Sequence, residues 1–133
     1  MPWRWASAIK IAIPDNILQK QGKLTDPEWE IMQKHPQYAF DLISPISYFW
    51  HAVDIPYCHH EHWDGSGYPR GLRGEEIPLS ARIFTIVDVW DALSSDRPYR
   101  AAWNADAVKV FLIENSGVLF DPTLIPLFLE ILD

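Results

Sequence analysis

The sequence predicts an all-α protein, a bundle of about five to seven helices. Apolar side chains recur at helical spacing, capping residues and prolines mark the ends of those segments, and no segment alternates between apolar and polar residues as a strand does. The chain has 133 residues, of which 48% are hydrophobic. That is enough for a real core, so we expect residues 1–133 to form a single domain.

The first clear helix boundary is a capping box. Thr25 can accept a hydrogen bond from the amide of Glu28, whose side chain can reach back to the amide of Thr25. Helical spacing continues from there to residue 43, and Pro36 should kink this helix or restart it. A second helical stretch is predicted over residues 46–61, broken or bent near Pro56.

A long loop separates these helices from the C-terminal half of the chain. Residues 62–76 hold four glycines and Pro69. Loops of this length inside a compact domain commonly carry function. Three further helices are predicted after it: one that begins at Pro78, one over residues 105–115 that Asn104 caps and Gly117 ends, and one that Asp121 and Pro122 open.

The composition excludes several classes of function. A net charge of −7 argues against binding to a nucleic-acid polymer. No apolar run is long enough to cross a bilayer and no export signal is visible, so we expect no membrane partner. Cys58, the single cysteine, excludes an internal disulfide and fits a reducing compartment. We therefore predict a cytoplasmic protein.

The basic residues are concentrated in one region. Five of the eleven, all arginines, lie between residues 70 and 100. They are Arg70, Arg73, Arg82, Arg97 and Arg100. Arginine matches phosphate with paired donors, so this group favours a local anion site over scattered solvated side chains.

His59 and His60 are the first candidate metal ligands. On a helix, adjacent residues project about 100° apart, so the pair could serve two neighbouring ions, or one ion and a supporting partner. A surface pair of histidines is the plain alternative. Glu61, His62 and the glycine-rich loop after them favour a metal site, because a loop of this kind is expected to be ordered around a bound group. His62 has a weaker claim, and His51 is interpreted as structural.

Asp88 lies among apolar residues on the predicted inward face of its helix, where a carboxylate is costly unless it is paired or binds a cation. Asp91 shares that side and could support a ligating histidine or pair with Arg97. His35 is a further candidate imidazole. Iron, manganese and zinc all accept mixed imidazole and carboxylate ligands, and such an ion could activate water against a phosphate ester.

At this point the residues resemble those of HD-GYP domains, over roughly residues 9–130. The resemblance rests on residues 59–69, from His59 to Pro69, and on shorter matches around them. These are residues 71–74, 77–78, 81–83, 88–93 and 97–100, with residues 11–18, 22–25 and 34–36 upstream.

The resemblance implies a helical bundle of the HD-domain type and a metal-dependent phosphodiesterase that opens cyclic di-GMP to the linear dinucleotide, and sometimes to GMP. It implies metal binding by His35, His59, His60 and Asp88. It places Tyr68 and Pro69 in the loop beside the site, and Arg97, Arg100 and Lys10 near the substrate phosphates. We expect Asp88, Asp91 and Lys10 to take part in catalysis, and one divalent ion, iron or manganese.

The sequence departs from the family at the residues that name it. Where members carry His-Asp-Ile-Gly-Lys, this chain has Ala6-Ser7-Ala8-Ile9-Lys10. We also expect the helices that precede this motif in the family to be absent. Neither Ala6 nor Ser7 can replace a bridging carboxylate. The interpretation is a truncated HD-GYP-like domain whose uncovered apolar surface pairs with a second copy as a homodimer.

Three hypotheses of function follow. The first is a phosphodiesterase for cyclic di-GMP or a related phosphodiester, weakened or inactivated by the missing pair. The second is a non-catalytic signalling module that binds a nucleotide or a protein. The third is a small helical oligomer that retains no ligand.

Overall fold

A computed structural model describes residues 12–97 and 100–133. Within these ranges the chain forms seven α-helices and no β-strand, apart from two isolated bridges. The helices are α1 (Asp15–Leu18), α2 (Asp26–Met32), α3 (His35–Ile43), α4 (Asp54–Cys58), α5 (Leu79–Ser94), α6 (Ala105–Glu114) and α7 (Leu124–Leu132). Short 3₁₀ helices cover Ser47–Phe49 and Gly74–Glu76. The prediction of an all-α bundle is confirmed.

The predicted boundaries of four helices are confirmed. Thr25 and Glu28 form the capping box at the start of α2. Pro36 lies in the first turn of α3, so the helix restarts there rather than continuing from α2. Pro78 is the N-terminal cap of α5, and the side chain of Asn104 accepts a 2.8 Å hydrogen bond from the amide of Ala107 at the start of α6.

Two predicted helix ranges were wrong. The stretch 46–61 is not one helix, because α4 covers only Asp54–Cys58. Pro56 has no amide hydrogen and is tolerated only in a first turn, so α4 cannot begin much before Asp54. The last helix begins at Leu124 and not at Asp121, because the carboxylate of Asp121 is occupied with Thr123 and Arg82.

The long helix α5 lies at the centre of the fold. One hydrophobic cluster joins it to α6, α7 and the turn between them through Ile86, Leu112, Phe120 and Ile125. A second cluster, Cys58, Ile77 and Ala81, joins α5 to α4 and to the loop that precedes α5. The site loop of residues 62–76 packs against the second cluster through Leu72. None of the described helices is both long and apolar enough to cross a membrane.

A buried ion pair ties the start of α5 to the C-terminal region. Arg82 donates a 2.6 Å hydrogen bond to Asp121 and a 2.9 Å bond from Nε to the carbonyl of Ile77. The other carboxylate oxygen of Asp121 accepts bonds from the amide and hydroxyl of Thr123, at 2.8 and 2.7 Å. Burial by itself would raise the pKa of Asp121, but the bonds from Thr123 and Arg82 outweigh it and lower the pKa below its ordinary value.

Replacing Asp121 by alanine should lower the free energy of unfolding by about 3 kcal/mol, because Arg82 would keep its charge without its partner. A lowered folded pKa means that the carboxylate stabilises the fold above the unfolded value of about 3.9, and that this contribution is lost as the pH falls through the lower folded value. Urea unfolding at neutral and acidic pH measures both effects. Glu114→Ala, an exposed carboxylate on α6, should change stability little. Equal effects of the two substitutions would contradict this assignment.

Candidate metal centre

Three histidines converge where two helix ends meet. His35 is the first residue of α3 and is only 2% exposed, His59 is the residue directly after α4, and His60 follows it. Each offers one ring nitrogen, and these nitrogens all lie within 4.8 Å of one another. The ring centroids are separated by 4.0 to 5.6 Å. His59 and His60 therefore face one common site rather than two.

Helix-end carbonyls orient two of these imidazoles. Nδ1 of His35 lies 2.7 Å from the carbonyl oxygen of Met32, and Nδ1 of His59 lies 3.0 Å from that of Pro56. A carbonyl can only accept, so Nδ1 must carry the hydrogen, and in the neutral ring the lone pair is then on Nε2. Backbone carbonyls commonly fix metal-binding histidines in this way. The donor set thus fits a divalent transition metal, which imidazole nitrogens suit well.

One face of α5 packs against this histidine cluster. The hydroxyl of Thr85 lies 3.1 Å from the carbonyl oxygen of His59, and the ring of Phe84 meets the His59 ring edge to face at 6.1 Å. Asp88 is three residues beyond Thr85 and four beyond Phe84, so it lies one turn further along the same face. Among the described residues, the group of converging ligand atoms consists of the three histidines and does not include Asp88. Asp88 is half-buried, and its role as a ligand stays a prediction.

Glu61 folds the glycine-rich loop back over the histidines. Its carboxylate is 2% exposed and accepts two backbone hydrogen bonds, from Arg70 at 2.8 Å and from Leu72 at 2.9 Å. Burying a carboxylate is costly, and these two bonds from the loop offset that cost. The loop is also held to the α6–α7 turn, since the amide of Asp64 donates to the carbonyl of Val118 at 3.0 Å.

The loop places Tyr68 directly on the cluster. Its ring stacks on the His60 ring at 4.9 Å with 20° between the planes, and its amide donates a 3.1 Å bond to the carbonyl of His60. Gly67 allows this approach, because a Cβ there would lie 2.4 Å from the carbonyl oxygen of His60. Burial raises the pKa of Tyr68 to about 12, so near neutral pH its hydroxyl is protonated and can donate a hydrogen bond.

Three of the five arginines predicted to favour an anion site make side-chain contacts within the fold. Arg82 is paired with Asp121. Arg70 lies over the ring of Tyr57 at 4.5 Å and donates to the thiol of Cys58 at 3.4 Å. Arg100 donates to the carbonyl of Ala92 at 2.7 Å, near the end of α5, although the family resemblance implies a place near phosphate. All three of these side chains thus make contacts within the fold, while Arg73 is exposed.

The remaining predicted residues lie around the cluster or outside the described ranges. Asp91 and Arg97 are half-buried, near the end of α5 and after it, and Arg97 pairs through its backbone with Arg100. Lys10 lies outside the described residues, as do Ala6 and Ser7. The two further histidines are placed apart from the cluster: His51 is exposed, and His62 bonds to Ser66 within the loop at 3.0 Å.

A protein-family model described as the HD domain matches residues 6–124. The chain belongs to this family. The resemblance to HD-GYP domains predicted from the sequence is likewise confirmed.

The chain is similar in sequence to several phosphodiesterases, three of which are described by their identity and coverage. It is 50% identical over 115 residues to the cyclic di-GMP phosphodiesterase response regulator RpfG of Xanthomonas campestris, covering 85% of this chain and 30% of that protein. It is 46% identical over 123 residues to 3'3'-cGAMP-specific phosphodiesterase 2 of Vibrio cholerae, covering 91% and 24%. A cyclic di-GMP phosphodiesterase of Thermotoga maritima is 41% identical over 126 residues, covering 92% and 34%.

A solved structure supports the fold alone. The crystal structure of the cyclic GMP-AMP phosphodiesterase V-cGAP3 of V. cholerae superposes with a TM-score of 0.63 over 93% of this chain, at 18% identity. The chain spans 32% of that structure, and about a quarter to a third of the three relatives named above.

Two residues of the site, Glu61 and Thr85, are not predicted from the sequence. Glu61 appears in the sequence argument only as a neighbour of the histidines, and Thr85 is not predicted as a site residue at all. A signal was present for Glu61, since an acid between a histidine pair and a glycine-rich loop is placed to accept loop amides. No signal in the sequence pairs Thr85 with the carbonyl of His59, because the two residues are 26 positions apart.

Alanine at His35, His59 or His60 should lower the affinity for Mn²⁺ or Fe²⁺ by about tenfold or more, because each supplies one nitrogen of the donor set. Calorimetric titration of each purified variant, with its metal content, measures this. His51→Ala removes an exposed imidazole outside the cluster and should bind as the unaltered protein does. Wild-type affinity in all three cluster variants would refute the assignment.

Glu61→Gln should loosen the site loop, because an amide can accept only one of the two backbone bonds that the carboxylate accepts. The free energy of unfolding should fall by about 2 kcal/mol, the cost of one buried unsatisfied donor. Metal affinity should fall with it, through displacement of the neighbouring His60. Glu75→Gln, the same change at an exposed residue, is the control. Equal stability and metal affinity in both variants would show that Glu61 does not hold the loop.

Proposed function

We propose that this chain is a metal-dependent phosphodiesterase domain of the HD-GYP type that acts on a cyclic dinucleotide. The observation that carries the proposal is the cluster of His35, His59 and His60, with two rings oriented by backbone carbonyls. The names of the relatives support the substrate class, because they include cyclic di-GMP and 3'3'-cGAMP phosphodiesterases.

The three histidines, with Asp88 of the adjoining helix face, would hold one divalent ion, which we propose to be iron or manganese. A carboxylate added to imidazoles suits these ions, while the described cluster has no thiolate partner: Cys58 is buried, and burial raises the pKa of its thiol. When bound, such an ion lowers the pKa of water and neutralises charge on phosphate oxygens.

The chain's own residues would then orient the substrate. Tyr68, protonated near neutral pH, can donate its hydroxyl hydrogen to a phosphate oxygen, and Pro69 shapes the wall beside it. We propose that Arg97, Arg100 and Lys10 steady the phosphates, and that Asp88 and Asp91 fix the attacking water. Hydrolysis adds the water oxygen to phosphorus and breaks one ester bond, and the leaving hydroxyl takes the proton, which gives the linear dinucleotide.

His60→Ala and Asp88→Asn should each abolish the conversion of cyclic di-GMP to the linear dinucleotide by the metal-loaded protein, because each removes a proposed ligand. Chromatographic separation of substrate and product measures this. His51→Ala is the matched control and should retain the rate. Hydrolysis that survives both substitutions would mean that the reaction occurs elsewhere or belongs to a contaminant.

A second candidate function is a signalling module that binds a nucleotide without hydrolysing it. The residues Ala6 and Ser7 favour it, because they stand where family members carry the His-Asp pair and neither can ligate a metal as a carboxylate does. Saturable binding of cyclic di-GMP without formation of the linear product, in metal-loaded protein, would select this function over the first.

A homodimer, a single domain over residues 1–133 and a cytoplasmic location are part of the same proposal. Exposed apolar side chains on α5 and α7 support the dimer: Ile83 is 46% exposed, Leu127 56% and Ile131 79%. Burying such a surface against a second copy would remove apolar area from water. Light scattering that finds a monomer at micromolar concentration would contradict the dimer.

A further inference from the structure

A cavity with four polar residues in its lining shares a wall with the histidine cluster. Its volume is about 300 Å³, at the lower end of the range for small-molecule sites. Its lining residues are Glu30, Gln33, Lys34, Gln37, Tyr68 and Pro69. Tyr68 is the ring that stacks on His60, so the cavity begins where the candidate metal centre ends.

The polar lining residues come from two helices and the turn between them. Glu30 lies on α2, Gln33 and Lys34 lie in the turn before α3, and Gln37 lies on α3. Glu30 and Lys34 are exposed, so their charged groups are accessible at this end of the cavity.

The four polar side chains are not equivalent. Gln37 is held in place on both sides, since its amide nitrogen donates to Asp41 at 2.9 Å and its oxygen accepts from Tyr57 at 3.1 Å. In the part of the chain that the structure describes, no hydrogen bond or ion pair engages the side chains of Glu30, Gln33 and Lys34. These three offer a carboxylate, an amide and an ammonium group to a ligand.

The mixed charge of this wall favours a nucleobase over a phosphate. A phosphate drawn to Lys34 would also meet the carboxylate of Glu30, which repels it. A base is neutral and presents donors and acceptors side by side, with flat faces that pack against apolar groups. Guanine offers ring and exocyclic N–H donors beside O6 and N7 acceptors, which match a carboxylate and an ammonium group.

We infer that this cavity is the base-reading subsite of the substrate site and that Glu30 sets its preference for guanine. The inference rests on the proposed function for the substrate class, and adds residues to it. The carboxylate of Glu30 accepts two N–H groups from guanine but can accept from only the single amino group of adenine. Lys34 and Gln33 supply donors to the acceptors of the base.

Calorimetric titration of the metal-loaded full chain with cyclic di-GMP and with cyclic di-AMP tests the inference. The unaltered protein should prefer cyclic di-GMP, and Glu30→Gln should reduce that preference about tenfold, because an amide presents only one acceptor. Glu114→Gln makes the same chemical change at an exposed residue of α6 and should keep the preference. Circular dichroism of each variant checks that it is folded.

The outcomes separate this inference from the proposed function. Hydrolysis of bis(p-nitrophenyl) phosphate, a diester without a base, reports the reaction independently of base reading. If the unaltered protein hydrolyses it but Glu30→Gln leaves the ratio of affinities unchanged, the base subsite is refuted and the reaction stands. If no diester is hydrolysed but the ratio shifts as expected, the subsite stands and the reaction is refuted. Failure of the unaltered protein to bind either dinucleotide overturns the inference.

Discussion

The candidate site depends on one buried carboxylate, that of Glu61. It follows the histidine pair directly and accepts amides nine and eleven residues further along the chain. The loop between must therefore return to the place where it began. That return brings Tyr68 onto His60 and requires Gly67 at the closest approach, where any Cβ would collide with the backbone. The hydrogen bonds of Glu61 thus account both for Tyr68 as a wall of the cavity and for the packing of the His60 ring.

The ends of helices, rather than their faces, build the histidine cluster. Helix α2 ends at Met32 and α4 at Cys58, and each leaves carbonyls that no later turn of the helix satisfies. His35 and His59 each use a carbonyl three residues back, so the same unsatisfied groups that end the helices also orient the rings. Pro36 lies in the first turn of α3, so a new helix begins directly at His35 and keeps that residue at the corner between α2 and α3.

Local rules predicted the features that depend on neighbouring residues. The capping box at Thr25, the helix start after Pro78 and the cap at Asn104 involve groups within a few positions of each other, and all three are present. The prediction that His59 and His60 lie on a helix and project about 100° apart was wrong, because α4 ends at Cys58, directly before them. Their rings converge since they lie in a turn, where side-chain directions do not follow the 100° rule.

The arginines show why contacts between distant residues could not be predicted. Their spacing in the sequence indicated one anion site, but Arg82 finds Asp121 across 39 positions and Arg100 turns back to α5. Such pairings depend on which helices meet, and no local pattern encodes that. Among the described contacts of these three arginines, only Arg82 is neutralised by a carboxylate, whereas Arg70 and Arg100 contact uncharged groups, keep their positive charge and still contribute a positive potential to this part of the chain.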